Sequence, residues 1–402
     1  MCSALRSFSF VHLADLHLGY TQYNLIERRE DFSKAFIEAA EKILKLKPSF
    51  VIISGDMFDN PRPPNTTLAT AVRVLRKLRE AGIPVLAVEG SHDMEPNVIT
   101  GTILIPLHNA GLIIYLPKLE GACWRNDECY VYGLRNFRSL READEKLPQY
   151  YEKAPPKPHP DLFNIFAFHG TVDKIPSLRL SIQPEIRVDQ IPEGFQYYAG
   201  GHLHVPVCCS FKGGVLAYPG CLETTSYDEA YTEKGFFHVM VSNRETAPEV
   251  ERIKNESARP FRVLEKEFSG MLPDKITEEA CRLLAENDGE GDVIILILRG
   301  LLPTSAKRSQ IDIPKIISIP KKALYVKVLN QLIEVAAEKT LKLRETRELK
   351  TLAYNYFLDA FSKRMGEEEG KKIATCAIDL LEPLLSGEEP KVKAILEGVI
   401  EN

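Results

Sequence analysis

Short apolar runs that end abruptly in glycine, aspartate or histidine recur through the first half of the chain. Phe8 to Leu13 is the first, and it breaks into Ala14-Asp15-Leu16-His17-Leu18-Gly19. A run of this kind predicts a strand buried on both faces that delivers polar side chains at the end of a sheet. A helical period follows, with Phe32, Phe36, Ala39, Ile43 and Leu46 recurring within Arg28 to Leu46, and Lys47-Pro48 stops it. Phe50 to Ile53 predicts a second strand, ending at Gly55-Asp56. Asn65 is the expected N-cap of a helix carrying Leu68, Val72, Leu75 and Leu78 on one face, with Gly82 as its stop. Val85 to Val88 predicts a third strand, closing at Gly90-Ser91-His92-Asp93. Strands alternating with helices predict an α/β domain whose ligands lie at the carboxyl ends of strands.

Shorter strands are expected next, at Tyr130 to Leu134, Leu162 to Phe168, Phe195 to Ala199, Val215 to Tyr218 and Phe236 to Val241, with an exposed loop over Lys153 to Pro160. The polar stretch Val241 to Arg259 reads as a connection, with a boundary near Pro260. Beyond it, Phe261 to Phe268 reads as a strand, Asp274 to Glu286 as a helix and Val293 to Leu298 as a buried strand. Ile311 to Ile319 reads as a further strand, interrupted by Pro314. That is a small α/β domain without a catalytic-looking cluster. From Tyr325 the chain is expected to be helical and charged. Apolar stripes mark helices around Glu345 to Arg364 (Leu352, Tyr356, Ala360) and Gly370 to Leu385 (Ile373, Ala377, Leu380, Leu384), with a last stretch at Val392 to Ile400. The expected domains are therefore 1–259, 260–324 and 325–402.

With 402 residues the chain exceeds one compact core, and 44% hydrophobic with 27% charged residues is an ordinary water-soluble mixture. No run reaches membrane-spanning length and no signal peptide is evident, so a reduced cytoplasmic setting without a membrane partner is expected. The eight cysteines include no Cys-x-x-Cys pair, which argues against a zinc ribbon. A net charge of -5 does not advertise a polyanion partner, so nucleic acid would have to be held through local basic groups and metal ions.

The strand ends carry the chemistry. Asp15, His17, Asp56, His169, His202 and His204 form a mixed carboxylate and imidazole set, suited to Mn²⁺, Fe²⁺ or Zn²⁺. Two such ions about 3.5–4 Å apart can activate water and offset charge on a phosphoryl group, so the set predicts a two-metal phosphoesterase site. One carboxylate must be shared, and Asp56 is the candidate. In an extended segment, His202-Leu203-His204 points both rings the same way.

These pieces, in this order, resemble the calcineurin-like metallophosphoesterases: Asp-x-His, Gly-Asp, Gly-Asn-His-Asp, a single His, then Gly-His-x-His. More narrowly, His12-Leu13-Ala14-Asp15-Leu16-His17-Leu18-Gly19, Gly55-Asp56-Met57-Phe58, Gly201-His202-Leu203-His204 and Tyr218-Pro219-Gly220-Cys221-Leu222-Glu223 are similar to the Mre-eleven/SbcD nucleases of DNA double-strand-break repair. The likeness covers residues 8 to 240 by motif and the remainder only by size and layout. It implies a four-layer α-β-β-α sandwich, a small α/β capping domain that positions DNA, and C-terminal helices that bind a Rad-fifty/SbcC-type coiled-coil ATPase. It also implies a homodimer, with Leu68 to Leu78 and Ile99 to Leu107 as the expected contact. One Mn²⁺ is implied at Asp15, His17, Asp56 and His204, the other at Asp56, His169, His202 and Ser91. His92 would contact the scissile phosphate and protonate the leaving oxygen, and Asp93 would orient His92. Two positions depart from the pattern. Ser91 stands where the family has Asn, and its shorter hydroxyl is a weaker ligand. Asp59 stands where some relatives carry a histidine near the substrate.

Blander roles are expected elsewhere: packing for His12, structural or surface positions for His108, His159 and His238, and core or loop packing for Cys208, Cys209 and Cys221. Arg62, Arg135, Arg138, Lys174 and Arg179 are candidate phosphate contacts that as single charges are more often solvated. The leading expectation is a Mn²⁺-dependent DNA exonuclease and endonuclease. The alternatives are a generic two-metal phosphodiesterase and a weakly catalytic DNA-binding scaffold, the latter because residue 91 is Ser.

Overall fold

A computed structural model describes residues 7–94, 101–173, 183–304, 306–334 and 346–386. It divides into two compact units, Met1–Arg262 with Gly291–Val293, and Val263–Glu290 with Ile294–Asn402. No helix among the described residues is long and apolar enough to cross a membrane.

The first unit contains strands β1 (Phe8–Leu13), β2 (Phe50–Ser54), β3 (Val85–Val88), β4 (Ile114–Tyr115), β5 (Cys123–Arg125) and β6 (Cys129–Gly133). It continues with β7 (Phe163–His169), β8 (Tyr197–Gly201), β9 (Val207–Phe211), β10 (Gly214–Tyr218), β11 (Gly235–Val241) and β12 (Glu249–Lys254). Its helices are α1 (Ile26–Leu46), α2 (Asn65–Glu80), α3 (Leu104–Asn109) and α4 (Leu140–Lys153). One sheet has the order β12-β11-β1-β2-β3-β4 and the other β5-β6-β7-β8-β10-β9. β1 to β4 run parallel, as do β6, β7, β8 and β10.

Side-chain alternation explains the layering. Val51 and Ile53 face the cluster built with α1, α2 and α3, whereas Phe50 and Ile52 face the other sheet. Across the gap, Phe163 and Ile165 meet them, while Phe166 and Phe168 turn outward to Ala143 and Leu147 of α4. Both sheets are thus buried on both faces, and the unit is the four-layer α-β-β-α sandwich. The gap between the sheets is aromatic, with Phe10 and Phe50 stacked at 5.2 Å and Phe10 edge-on to Tyr197 at 5.2 Å. β12, in the stretch expected to be a connection, forms an outer edge instead. Its Glu249, Glu251, Arg252 and Lys254 suit a strand with one side open. Helix α2 begins at Asn65 itself, with Pro64 in the N-cap position that Asn65 was expected to take.

The second unit holds a three-stranded sheet, β13 (Phe261–Glu267), β14 (Val293–Arg299) and β15 (Tyr325–Asn330), in that order, with α5 (Pro273–Glu286) and α6 (Ile313–Ile317). Two local expectations are corrected here. The Ile311 to Ile319 stretch is helical, because Pro314 falls in the first turn, where its missing N–H costs nothing, and Asp312 caps the Lys315 N–H. Tyr325 onward is a strand, not a helix. Val326 and Val328 alternate onto the core of this unit, and alternation of β-branched residues suits a pleated surface. Helices α7 (Thr346–Met365) and α8 (Glu367–Ser386) follow. Tyr356 is 72% exposed, while Ile373, Ala377 and Leu380 are half-buried. The side chains of Leu352 and Leu384, and the stretch Val392 to Ile400, lie outside the described residues.

One buried cation ties α1 to the turn after β10. Arg28 is fully buried and donates to Gln22 Oε1 (2.9 Å), Asp31 Oδ2 (2.7 Å), Glu223 Oε1 (3.1 Å) and Thr224 O (2.9 Å). Asp31 is shared with Arg259, whose Nη2 donates to its Oδ1 at 2.8 Å. Arg28→Met leaves Glu223 buried without its cation, and breaking such a pair costs ~3–5 kcal/mol. Urea unfolding of the variant is expected to show that loss, and an unchanged midpoint would refute it.

Candidate metal centre

Five strands of the two sheets deliver the site. Asp15 and His17 follow β1, Asp56 follows β2, the Gly90-Asp93 corner follows β3, His169 ends β7, and His202 and His204 follow β8. The chain is forced into unusual conformations to do this. Asp15 (φ 54°), His17 (φ 43°), Asp56 (φ 48°) and His202 (φ 94°) all lie in the left-handed region that residues with a Cβ avoid. Main-chain bonds hold these bends: Asp15 N–H donates to Gly55 O (3.1 Å) and His17 N–H to Asp56 O (3.0 Å). Glycine is required twice beside them. A Cβ on Gly90 would lie 2.2 Å from Asp56 Oδ1, and one on Gly201 would lie 1.7 Å from Ser54 O.

Asp15 and Asp56 are both buried, and among the described residues their ion-pair partners are histidines. His169 Nε2 lies 3.3 Å from Asp56 Oδ2, and its Nδ1 donates to Ser54 O at 2.8 Å. His202 packs edge-on against His169, centroids 5.4 Å apart, and its backbone N–H reaches both Asp15 oxygens at 3.0 Å. His17 Nε2 and His204 Nε2 face each other at 3.1 Å. Asp15, His17 and His204 bring their donor atoms together, and so do Asp15, Asp56 and His169.

The electrostatics of this cluster are those of a cation site. Burial works against an imidazolium at His169, yet the Asp56 carboxylate, with Asp15 behind it, holds that ring's pKa up at about 10. Burial pushes the Asp15 carboxyl up although the surrounding histidines oppose it. Burial would also raise Asp56, but His169 overrides it and keeps that carboxyl well below the usual range. Burial and the neighbouring His169 press His202 down to about 3, leaving a neutral ring with a free lone pair. His169 Nε2 is buried and makes no hydrogen bond, although it sits beside a carboxylate. An orphaned imidazole nitrogen, a facing pair of imidazole nitrogens and two buried carboxylates paired with histidines fit divalent cations held by mixed N and O donors.

The remaining expected site residues fall as follows. His92 sits at the rim with its side chain 47% exposed. Its backbone N–H donates to Asp56 Oδ1 (2.8 Å), and its Nδ1 meets Asp59 O (2.7 Å). Asp93 acts on the His92 corner through the backbone. Its carboxylate accepts from the backbone N–H groups of Met57 (3.2 Å), Phe58 (2.9 Å) and Gly90 (3.0 Å), pinning the His92 corner to the Asp56 loop. Ser91 is half-buried at the same corner. The Asp59 carboxylate approaches His17 Nδ1 (3.7 Å) and His92 Nδ1 (4.0 Å), so it serves two rings of the site. Arg62 is exposed in the following turn, its backbone N–H on Asn60 Oδ1. Arg135 lies over the Phe137 ring and Arg138 donates to Met94 O, while Lys174 and Arg179 lie outside the described residues. His12 packs between the sheets, bonded to Tyr197 OH (3.0 Å) and Ser54 Oγ (2.9 Å).

Two carboxylates near the histidines were not anticipated. Glu185 Oε1 lies 3.5 Å from His202 Nε2, and Glu229 Oε1 lies 2.7 Å from His204 Nδ1. Neither lies at the end of an apolar run, the signal that marked the other site residues.

A model of the calcineurin-like phosphoesterase family matches residues 8–206, the span that supplies every one of the expected ligands. Over that span, just under half of its length, the chain is similar to this family, whose members use divalent metals. The chain is also similar to archaeal proteins named DNA double-strand break repair protein Mre11. The one from Archaeoglobus fulgidus is 34% identical over 238 residues, 55% of this chain and 51% of that protein. Those from Methanococcus maripaludis and Methanocaldococcus jannaschii are 33% and 32% identical, covering 57% and 59% of this chain and 62% and 63% of theirs. The chain thus spans about half to three-fifths of the length of these relatives.

Proposed function

We propose that this chain is a metal-dependent phosphodiesterase that cleaves DNA, acting as an exonuclease and endonuclease on the ends of double-strand breaks in the cytoplasm. The convergence of two buried carboxylates and four histidines at strand ends, beside the exposed His92, carries this reading. The substrate follows from the name of the archaeal relatives. Asp15, His17, Asp56 and His204 would hold one ion, and Asp56, His169, His202 and Ser91 the other, with Mn²⁺ suited to the mixed donors. When bound, the pair supplies positive charge for the phosphoryl oxygens and an acidified water for attack.

The other steps fall to the chain. Asp59 O can only accept, so the proton on His92 sits at Nδ1 and leaves Nε2 for the substrate. As an imidazolium, His92 donates from Nε2 to the departing oxygen. Asp93 keeps that ring in register with Asp56 by gripping the two loops together. Asp56→Ala is expected to abolish Mn²⁺-dependent cleavage of linear DNA, and His92→Ala to slow it by about 10²–10⁴-fold while metal binding persists. Parallel assays on a small phosphodiester decide the alternatives. Hydrolysis of the small ester with DNA left intact would make the chain a generic phosphodiesterase. Inactivity on both with DNA still bound would make it a scaffold.

Ser91 makes the second ion the weaker one, since a hydroxyl falls short of an Asn amide by about one bond and is a neutral donor. Ser91→Asn is expected to lower the Mn²⁺ concentration at half-maximal cleavage. Superimposable titrations for the two proteins would show that residue 91 is not limiting.

A Rad-fifty/SbcC-type ATPase is the proposed partner of α7 and α8, where Tyr356 stands exposed. The proposed homodimer uses Leu68 to Leu78, where Leu68 and Val72 remain half-buried against their own core, together with Ile99 to Leu107, of which Ile99 and Thr100 lie outside the described residues. Deletion from Glu345 should keep cleavage and abolish ATPase co-purification, while light scattering should give a dimer at micromolar concentration. Retained co-purification, or a monomer, would remove the corresponding part.

A further inference from the structure

The two histidines of His202-Leu203-His204 are not supported alike. Behind His204 lies a compact buried group contributed by the turn from Pro219 to Gly235. Gly220 takes φ +69° there, and a Cβ on it would come within 2.8 Å of His204 O, so the turn runs directly against the ligand's backbone. The short helical turn Tyr227–Glu229 then brings Glu229 back onto the ring. Glu229 Oε1 lies 2.7 Å from His204 Nδ1. Thr225 Oγ1 also lies 2.7 Å from Nδ1 and donates to the same carboxylate oxygen at 2.5 Å. The second oxygen, Oε2, accepts from Lys234 Nζ (2.9 Å), Thr225 N–H (3.2 Å) and Cys221 Sγ (3.3 Å). Glu229, Lys234 and Cys221 are all buried.

His204, Cys221 and Glu229 could be mistaken for a third metal site, since their donor atoms lie close together. The Lys234 ammonium occupies that place instead, 2.9 Å from the carboxylate and 3.4 Å from the sulfur. A cation of the chain already neutralises Glu229. The carboxylate is therefore ionised and can only accept. Thr225 spends its one hydroxyl proton on Glu229, so that oxygen too can only accept from the ring. Both contacts at Nδ1 demand a proton on Nδ1. The lone pair of neutral His204 is then confined to Nε2, the nitrogen facing His17 across 3.1 Å.

We propose that Glu229, braced by Lys234 and Thr225, is a positioning residue that fixes His204 as the Nδ1–H tautomer and so sets the affinity of the first metal site. This deepens the function proposed above and rests on it for the identity of that site. A carboxylate on the far nitrogen of a ligand histidine fixes ring orientation and raises ligand basicity, and removing such a partner typically costs about 10–100-fold in metal affinity. Among the described residues His202 has no equivalent brace: Glu185 stands 3.5 Å from its Nε2. The effect of Glu229 should accordingly fall on one ion and spare the other.

The test uses the full chain with Glu229→Ala and the nearly isosteric Glu229→Gln, each checked for folding by circular dichroism. Long-range ¹⁵N–¹H spectra of histidine-labelled, metal-free protein report the tautomer, with the His204 signals assigned by their loss in His204→Gln. Calorimetry with Mn²⁺ alone reports the two sites. Wild type is expected to show His204 protonated at Nδ1. Glu229→Ala is expected to show mixed tautomers and about 10–100-fold weaker binding at one site with the other unchanged. Glu229→Gln, whose amide oxygen can still accept, should fall between them. A neutral wild-type His204 protonated at Nε2 alone, or unaltered tautomer and affinity in a folded Glu229→Ala protein, would overturn the proposal. A wild type that binds metal and shows the Nδ1–H signature yet cleaves no phosphodiester would sink the functional reading and leave this one standing.

Discussion

Two buried carboxylates, with no lysine or arginine beside them among the described residues, are the constraint around which the first unit is built. Asp15 and Asp56 sit where the carboxyl ends of both sheets meet, and their partners are imidazoles. An ionised carboxylate removed from water is tolerated only with compensating charge and hydrogen bonds. The chain meets part of that need with backbone N–H groups. His202 N–H reaches Asp15, and His92 N–H reaches Asp56. The rest falls on histidines, whose charge is conditional. Divalent cations are the natural completion of such an arrangement, and the orphaned Nε2 of His169 points the same way.

Holding those groups together is costly in backbone terms. Four residues that carry site side chains take left-handed conformations, and each such residue costs of order 1–3 kcal/mol. The strain survives because the sandwich beneath it is over-determined. Strands buried on both faces cannot slip register without moving an entire row of Phe, Ile and Val from one core into another. Asp93 adds a local lock, since its carboxylate spans the two loops that carry Asp56 and His92. Burial and the nearby Asp56 charge lift the Asp93 pKa to about 7, so even this lock is held against the electrostatic preference of the group.

The sheets and the strand-end residues were legible in the sequence because they obey one rule. A strand buried on both faces is apolar throughout, so the first acid or histidine after it stands at a sheet end. That rule found Asp15, Asp56, the Gly90-Asp93 corner, His169 and His202. It could not find Glu229, which reaches His204 through a turn and contributes nothing periodic. Nor could it show that Asp93 serves backbone N–H groups, because adjacency to His92 in sequence suggested a side-chain partner. Pro314 misled for a related reason. Proline breaks a strand but is at home in a helix's first turn, and only the cap at Asp312 distinguishes the two. At Tyr325 the charged surroundings outweighed a short alternation of valines that the neighbouring strand β14 completes.

The resulting centre is asymmetric, and the asymmetry can be traced to packing. On one side, His17 is buried, and His204 is backed by a carboxylate that is itself held by a buried ammonium. On the other, His169 is buried and firmly hydrogen-bonded through Nδ1, but the carboxylate nearest the His202 ring, Glu185, stands 3.5 Å away. The corner residue on that side is a serine, with little reach. A site whose donors are rigid before an ion arrives spends less of the binding energy on ordering them. Pre-organisation therefore favours the half built from Asp15, His17 and His204. The half built from His169 and His202 is less firmly defined, and Asp56, whose oxygens meet the His169 ring and the His92 N–H, would couple it to the first if both proposed ions were bound.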